Sequence, residues 1–183
     1  SYWLAEPPAV QLANALQKLG IKEGDRVMFD KFREECGVFG IYAPGVEVAR
    51  RAFFGIFALQ HRGQESAGIA VSDGEMIDVH TEMGLVTQIF NEQVLEGLQG
   101  DIAVAHTRYS TTGESSLCNA QPLLTESSEG PLAIAHNGNL VNAMPLRREM
   151  EEAGHHFEAT MDTEIMAKII ESHADLTLEE ALL

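Results

Sequence analysis

From residue 36 onward the apolar positions fall into short blocks separated by glycine, proline and aspartate turns, and the blocks alternate between strand-like and helix-like spacing. Gly37–Tyr42 (GVFGIY) is an apolar run suited to a strand, and Pro44-Gly45 follows it as a turn. Residues 46–59 carry apolar side chains nearly all round a helical wheel, which predicts a well-buried helix. Residues 66–71, the Ser72-Asp73-Gly74 step and residues 76–81 predict a β-hairpin. Asn91 is placed to cap a short helix ending at Leu98, with Gly100 just beyond it. Residues 102–107 predict a strand, residues 109–121 a long polar loop, and residues 131–136 another strand. A helix is expected over residues 142–153, closed by Gly154, and Thr163 is placed to cap a further one running to His173. Thr177 with Glu180 has the form of a capping box. Hairpin-linked strands without strict β-α-β alternation predict an α+β fold, a largely antiparallel sheet system with helices packed on it.

The segment before residue 36 reads differently. Leu12, Leu16 and Leu19 recur at helical spacing, Gly20 sits where a helix would stop, and Glu23-Gly24-Asp25 forms a turn signal. Residues 13–27 resemble an early helix-turn-strand piece of adenylate-forming acyl-CoA ligases, but carry no catalytic motif and receive no function. Residues 1–27 are therefore taken as an N-terminal extension of unknown origin. Residues 28–35 (MFDKFREE) are short, charged and end directly before Cys36, which is the form of a removable propeptide, with Met28 as an alternative start of translation. At the other end the helix beginning near Thr177 has barely started at Leu183, so the chain is expected to be a piece of something longer.

Composition narrows the function classes. A chain of 183 residues with 45% hydrophobic and 22% charged residues has the make-up of an ordinary globular protein with one substantial core. A net charge of −16 argues against nucleic acid or an anionic membrane as the main partner. No apolar run approaches the roughly 20 residues that span a bilayer, and the N-terminus has no signal-peptide pattern. The two cysteines, Cys36 and Cys118, form no C-x-x-C pair, so neither a disulfide framework nor a zinc knuckle is expected. The seven histidines show no H-E-x-x-H spacing, no metal site is expected in this fragment, and a reducing cytoplasm fits the cysteine usage.

Polar residues gather at strand ends and glycine turns: Cys36-Gly37, Gln60-His61-Arg62-Gly63-Gln64, His106-Thr107-Arg108-Tyr109 and His136-Asn137-Gly138-Asn139, with Met161-Asp162-Thr163-Glu164 at a helix start. Each alone has a plain reading: Cys36 as a core thiol, the arginines as solvated strand ends, Asn-Gly as a turn, Asp162 as a cap. Together they make a set of parts for attack on a carboxamide. A thiolate needs a nearby base or an electropositive setting. A tetrahedral oxyanion needs fixed donors, which an Asn amide and the next Gly N–H supply from one turn. An α-amino acid also needs a bidentate partner for its carboxylate, such as Arg108, and a carboxylate for its ammonium, such as Asp162.

These blocks, with Leu59–Gly68 (LQHRGQESAG), Gly84-Leu85-Val86 and Ala135–Leu140 (AHNGNL), resemble the glutaminase domain of the amidophosphoribosyltransferase family, a class II glutamine amidotransferase. The likeness runs from about Met28 to the end with the motifs in family order. It implies an N-terminal-nucleophile hydrolase fold, a four-layer αββα sandwich with two antiparallel sheets over residues 36–183. It implies Cys36 as the nucleophile that forms a γ-glutamyl thioester, with its own α-amino group as base. Asn137 and Gly138 match the oxyanion pair, Arg108 the holder of the glutamine α-carboxylate, and Asp162 the receiver of its α-amino group. Thr111 matches a substrate-pocket hydroxyl and Arg62 a supporting motif arginine. The resemblance further implies glutamine as substrate and a homo-oligomer at full length. The family's phosphoribosyltransferase domain, with its phosphoribosyl pyrophosphate, Mg²⁺ and in some relatives an iron–sulfur cluster, has no counterpart in this sequence. Two other readings compete: an enzyme of the same class feeding ammonia to another acceptor, and a non-catalytic domain that keeps the fold for assembly or regulation.

Overall fold

The computed structural model describes residues 36–109, 116–128, 130–173 and 175–181. The extension, the propeptide and Thr111 singled out above lie outside these described residues.

The alternating chain after Cys36 builds a four-stranded antiparallel sheet from β1 (Gly37–Tyr42), β2 (Ser66–Ser72), β3 (Ile77–Met83) and β4 (Ile102–Arg108), in the order β1-β4-β2-β3. β4 pairs on both sides, with Gly37 opposite Thr107 and Ser66 opposite Arg108, so the N-terminal end of β1 meets the C-terminal end of β4. A second sheet pairs β5 (Leu123–Ser127) with β6 (Gly130–Ile134). β5 falls just beyond the expected polar loop and was not signalled by its sequence. Period-two side chains sort the faces. Ala67, Ile69, Val71, Ala103 and Ala105 form the core with Val48, Ala49, Ala52 and Ile56 of helix α1 (Val48–Ala58). The opposite face of the strands turns Ser66, Gly68, His106 and Arg108 toward the second sheet.

Helix α1 covers β1, β2 and β4, and helix α5 (Asp162–Ser172) covers β5, giving the helix-sheet-sheet-helix order of the expected αββα sandwich. α1 is less buried than its composition predicts. Only the face meeting the sheet is covered, while Phe54 and Phe57 are 63% and 49% exposed. Phe57 stacks on Phe53 at 6.1 Å, and Phe54 meets Phe53 edge-on at 5.3 Å, so the outer aromatics pack chiefly on one another.

Helices α2 (Val86–Ile89) and α3 (Glu92–Gly97) pack beside α1, α4 (Ala143–Glu152) packs against α5, and α6 (Leu178–Ala181) comes last. Asn91 caps α3 as expected, its Oδ1 accepting from the Val94 N–H at 3.0 Å. The Thr177–Glu180 box also forms, with the Thr177 N–H donating to Glu180 Oε2 at 3.0 Å. The start of α5 differs from expectation: its cap position is Met161, and Thr163 is a fully buried first-turn residue. Glu164 sets the entry instead, its carboxylate oxygens accepting the N–H groups of Glu158 and Ala159 at 2.8 and 2.7 Å. This buried carboxylate fixes the turn that delivers Asp162.

Candidate active site

Cys36 sits at the head of β1, half-buried, with Tyr109 N donating to its Sγ at 3.4 Å. The antiparallel pairing with β4 explains the contact, because Tyr109 directly follows the strand end opposite Gly37. The Cys36 carbonyl receives two side-chain donors, Asn137 Nδ2 at 2.6 Å and Arg62 Nε at 3.2 Å. Residues separated by 101 positions in the chain are thus joined at the thiol-bearing residue.

Each partner is placed by a definite piece of local structure. Arg62 lies in the turn that follows α1. Here Gln60 Nε2 donates to the Gly63 carbonyl, Gln60 Oε1 accepts from Val86 N at 2.6 Å, and Thr107 Oγ1 donates to the same Gly63 carbonyl at 2.6 Å. The Gln-His-Arg-Gly-Gln motif is therefore a knot tying α1, α2 and β4 together beneath Cys36. Asn137 and Gly138 form the turn after β6. Gly138 has φ +152°, and a Cβ there would stand 3.0 Å from His136 Nε2, so the turn needs glycine.

Asp162 lies beside this turn. Its Oδ2 accepts the Leu140 N–H at 2.6 Å, and its Oδ1 is 3.7 Å from His136 Nδ1. Arg108 ends β4 on the inter-sheet face and is 4% exposed. Its Nη1 donates to the Asn119 carbonyl at 3.0 Å and lies 3.7 Å from Glu65 Oε1. The structure thus joins Arg62 and Asn137 directly to Cys36, brings Gly138 along in the same turn as Asn137, and sets Asp162 against that turn. Arg108 is carried on the strand that pairs with β1. Cys118 lies apart from this set, exposed, with Sγ 3.0 Å from Ser116 Oγ.

Two polar residues at the site, Asn119 and Gln121, carried no sequence signal, and Glu65 lay within the Leu59–Gly68 block without a role of its own. Gln121 Oε1 accepts the His136 N–H at 2.7 Å, so it holds the residue preceding the Asn137-Gly138 turn. Its own carbonyl packs so closely on β2 that a Cβ at Gly68 would overlap it. A Gly-Ile pair inside a strand pattern marks such a close approach, but does not say what approaches.

His106 lies between the sheets, fully buried, opposite Val38 and Gly68. Neither ring nitrogen has a hydrogen-bond partner of normal geometry among the described residues. Burial pushes its pKa down from 6.5 to about 4; the nearby Arg108 and His136 add to the shift, and the His136 backbone opposes it. The imidazole is therefore neutral in the folded protein at neutral pH. Below pH 6.5 the unfolded chain takes up this proton first, so its stabilising contribution is full above pH 6.5 and falls as pH drops toward 4. The loss should reach about 3 kcal/mol over that window, and His106→Gln should remove that part of the slope. Urea unfolding at pH 7, 6 and 5 checks this; equal slopes in the two proteins would contradict it.

Among the described residues, no three His, Cys, Asp or Glu side chains come together in a way that could hold a metal ion, and no helix is long and apolar enough to cross a membrane.

Comparison with known proteins gives concordant matches. Residues 92–181 match the family described as glutamine amidotransferase domain. The chain is 55% identical over 149 residues to an amidophosphoribosyltransferase of Synechococcus elongatus, covering 81% of this chain and 29% of that protein. It is 48% identical over 158 residues to the amidophosphoribosyltransferase of Mycobacterium tuberculosis, covering 82% and 30%. Among solved structures it resembles the glutamine phosphoribosylpyrophosphate amidotransferase from B. subtilis complexed with ADP and GMP, with TM-score 0.72 and 41% identity over 79% of this chain and 31% of that one. A structure described as the allosteric regulatory enzyme of purine biosynthesis matches with TM-score 0.73 and 42% identity, again over 79% and 31%. The chain spans under a third of the length of these relatives.

Proposed function

We propose, from the premise that this chain belongs to the amidophosphoribosyltransferase family and carries its glutamine amidotransferase domain, that Cys36 attacks the side-chain carboxamide of glutamine and releases ammonia. The observation that carries this reading is the double grip on the Cys36 carbonyl by Asn137 and Arg62, which sets a thiol beside an Asn-Gly turn.

The chemistry follows from those positions. The Cys36 sulfur adds to the amide carbon, and the carbonyl oxygen becomes an oxyanion. Asn137 spends one N–H on the Cys36 carbonyl, which orients the amide; its second N–H, with the Gly138 N–H, is the donor pair for the oxyanion. Once freed by cleavage of the Glu35–Cys36 bond, the α-amino group of Cys36 takes the thiol proton and delivers it to the departing nitrogen. Collapse breaks the C–N bond, releases ammonia and leaves a γ-glutamyl thioester, which water then hydrolyses to glutamate and the free thiol. Arg108 takes the substrate α-carboxylate, Asp162 its ammonium, and Thr111 adds a pocket hydroxyl. Arg62 supports the nucleophile through its carbonyl and does not touch the reacting atoms.

In the whole protein the ammonia would pass to a phosphoribosyl pyrophosphate and Mg²⁺ site in the remaining length of the relatives, forming 5-phosphoribosylamine in the first step of de novo purine synthesis. That protein is proposed to be a cytoplasmic homo-oligomer, and any iron–sulfur cluster would belong to the same remaining length.

Labelling with 6-diazo-5-oxonorleucine, a glutamine-like diazoketone, tests the site in the chain cut at Glu35–Cys36. One equivalent should attach to Cys36, glutamine should protect it, and Cys118 should stay unmodified, as read by peptide mass spectrometry. Labelling indifferent to glutamine, or equal at the two cysteines, would overturn the reading.

A further inference from the structure

Asn119 is a fully buried polar residue in the middle of the site's surroundings, with no role in the chemistry above. It closes a single 3-10 turn, Leu117–Asn119, in the segment between β4 and β5. Both ends of its side chain are used on one residue: Oδ1 accepts the Thr160 N–H at 2.8 Å, and Nδ2 donates to Thr160 Oγ1 at 2.8 Å. A weaker contact from Nδ2 reaches Ser116 Oγ at 3.4 Å. Its backbone carbonyl accepts from Arg108 Nη1 at 3.0 Å. One residue therefore grips β4 at Arg108 and, through Thr160, the turn that enters α5 at Asp162.

We propose that Asn119 is a positioning residue that fixes the span between Arg108 and Asp162, and so selects ligands carrying a carboxylate and an ammonium on the same carbon. The inference rests on the glutaminase reading for its ligand. The physical reason is that the two charged groups of an α-amino acid have a fixed separation, while Arg108 and Asp162 come from elements that do not pair with one another. A bond network is needed to hold their separation, because an error of about 1 Å in placing a substrate costs on the order of a hundredfold. Asn suits the task, since its amide offers a donor and an acceptor on one rigid plane and satisfies Thr160 reciprocally. The same segment continues to Gln121, whose side chain holds His136, so the clamp is anchored at a third point against the sheet.

Kinetics on the full chain, cut at Glu35–Cys36 with both pieces retained, separate positioning from simple support of the fold. Asn119→Ala should raise the glutamine KM by about tenfold or more, the worth of one buried hydrogen-bond network, with kcat within about threefold. The preference for glutamine over 4-carbamoylbutanoate, which lacks the α-amino group, should shrink by a similar factor. Thr160→Val keeps the backbone N–H and loses only the hydroxyl partner; it should shift KM in the same direction by less, and serves if Asn119→Ala does not fold. A variant that folds with KM and substrate preference unchanged, or loses kcat alone, overturns the proposal. If the unsubstituted cut chain fails to hydrolyse glutamine, the glutaminase reading falls separately. Amide hydrogen exchange on the uncut chain then decides: Asn119→Ala should speed exchange at both Thr160 and Leu140, the latter bonded to Asp162. Unchanged exchange at Leu140 overturns the clamp.

Discussion

Cutting the Glu35–Cys36 peptide bond is expected to raise glutamine hydrolysis by this chain at least about a hundredfold, the lower end of what a positioned general base contributes. With the bond intact, the Cys36 nitrogen is an amide, which has no basic lone pair at neutral pH. Once cut, it is an α-amino group with an ordinary pKa of about 7.7–8.0, able to accept the thiol proton near physiological pH. Activity of the cut chain should therefore climb as pH rises through that range, as the amine loses its proton and becomes a base. The uncut chain should show no such limb. The structure supports this division of labour, because no histidine, carboxylate or lysine donates to or accepts from Cys36 Sγ among the described residues; its partner there is the Tyr109 backbone. Ammonia and glutamate release before and after the cut, with the new terminus identified by mass spectrometry, measures the effect. Full turnover with residues 1–35 still attached would sink the idea.

The strands of the first sheet were legible because they are short, largely apolar runs and the first two are closed by Pro-Gly and Asp-Gly turn steps. The sequence also carried the helix caps where the capping residue acts on its own neighbours, as at Asn91 and Thr177. It did not carry β5 (Leu-Leu-Thr-Glu-Ser), whose strand character comes from pairing with β6 and from α5 above it rather than from its own five residues. Nor did it carry α2, a single turn whose first N–H is held by Gln60, 26 positions earlier. The same distinction divides the site. Cys36, Arg62, Arg108, Asn137-Gly138 and Asp162 stood out because motif spacing marks them. Asn119 and Gln121 did not, since each acts through a residue 15 or more positions away, or through its own backbone. The cap of α5 was misplaced for a related reason: Thr163 has a capping side chain, but the buried Glu164 carboxylate reaches back to two amides and settles the entry first.

Asn137→Ala should lower kcat for glutamine by about a hundredfold to a thousandfold, the usual cost of removing one oxyanion donor, with a much smaller change in KM. The ambiguity is that Asn137 also holds the Cys36 carbonyl at 2.6 Å, so its loss could act by displacing the thiol instead. Two measurements separate these causes. Alkylation of Cys36 by iodoacetamide passes through no oxyanion, so a displaced or newly exposed thiol changes that rate, whereas a missing oxyanion donor leaves it alone. Arg62→Ala removes the other donor on the same carbonyl and leaves the oxyanion turn untouched, so it reports what loosening Cys36 alone costs. If the oxyanion role is right, Asn137→Ala keeps the alkylation rate and loses turnover, and Arg62→Ala loses far less turnover. Matching losses in the two variants, with parallel changes in alkylation, would assign both residues to holding Cys36 in place. Gly138 then supplies the decisive contrast. It has no side chain with which to hold the Cys36 carbonyl, and its φ of +152° with the 3.0 Å approach of a Cβ to His136 Nε2 means that Gly138→Ala must re-aim the N–H that the proposed oxyanion pair uses. Loss of turnover at Gly138 with alkylation unchanged is an outcome that a purely supporting turn cannot produce.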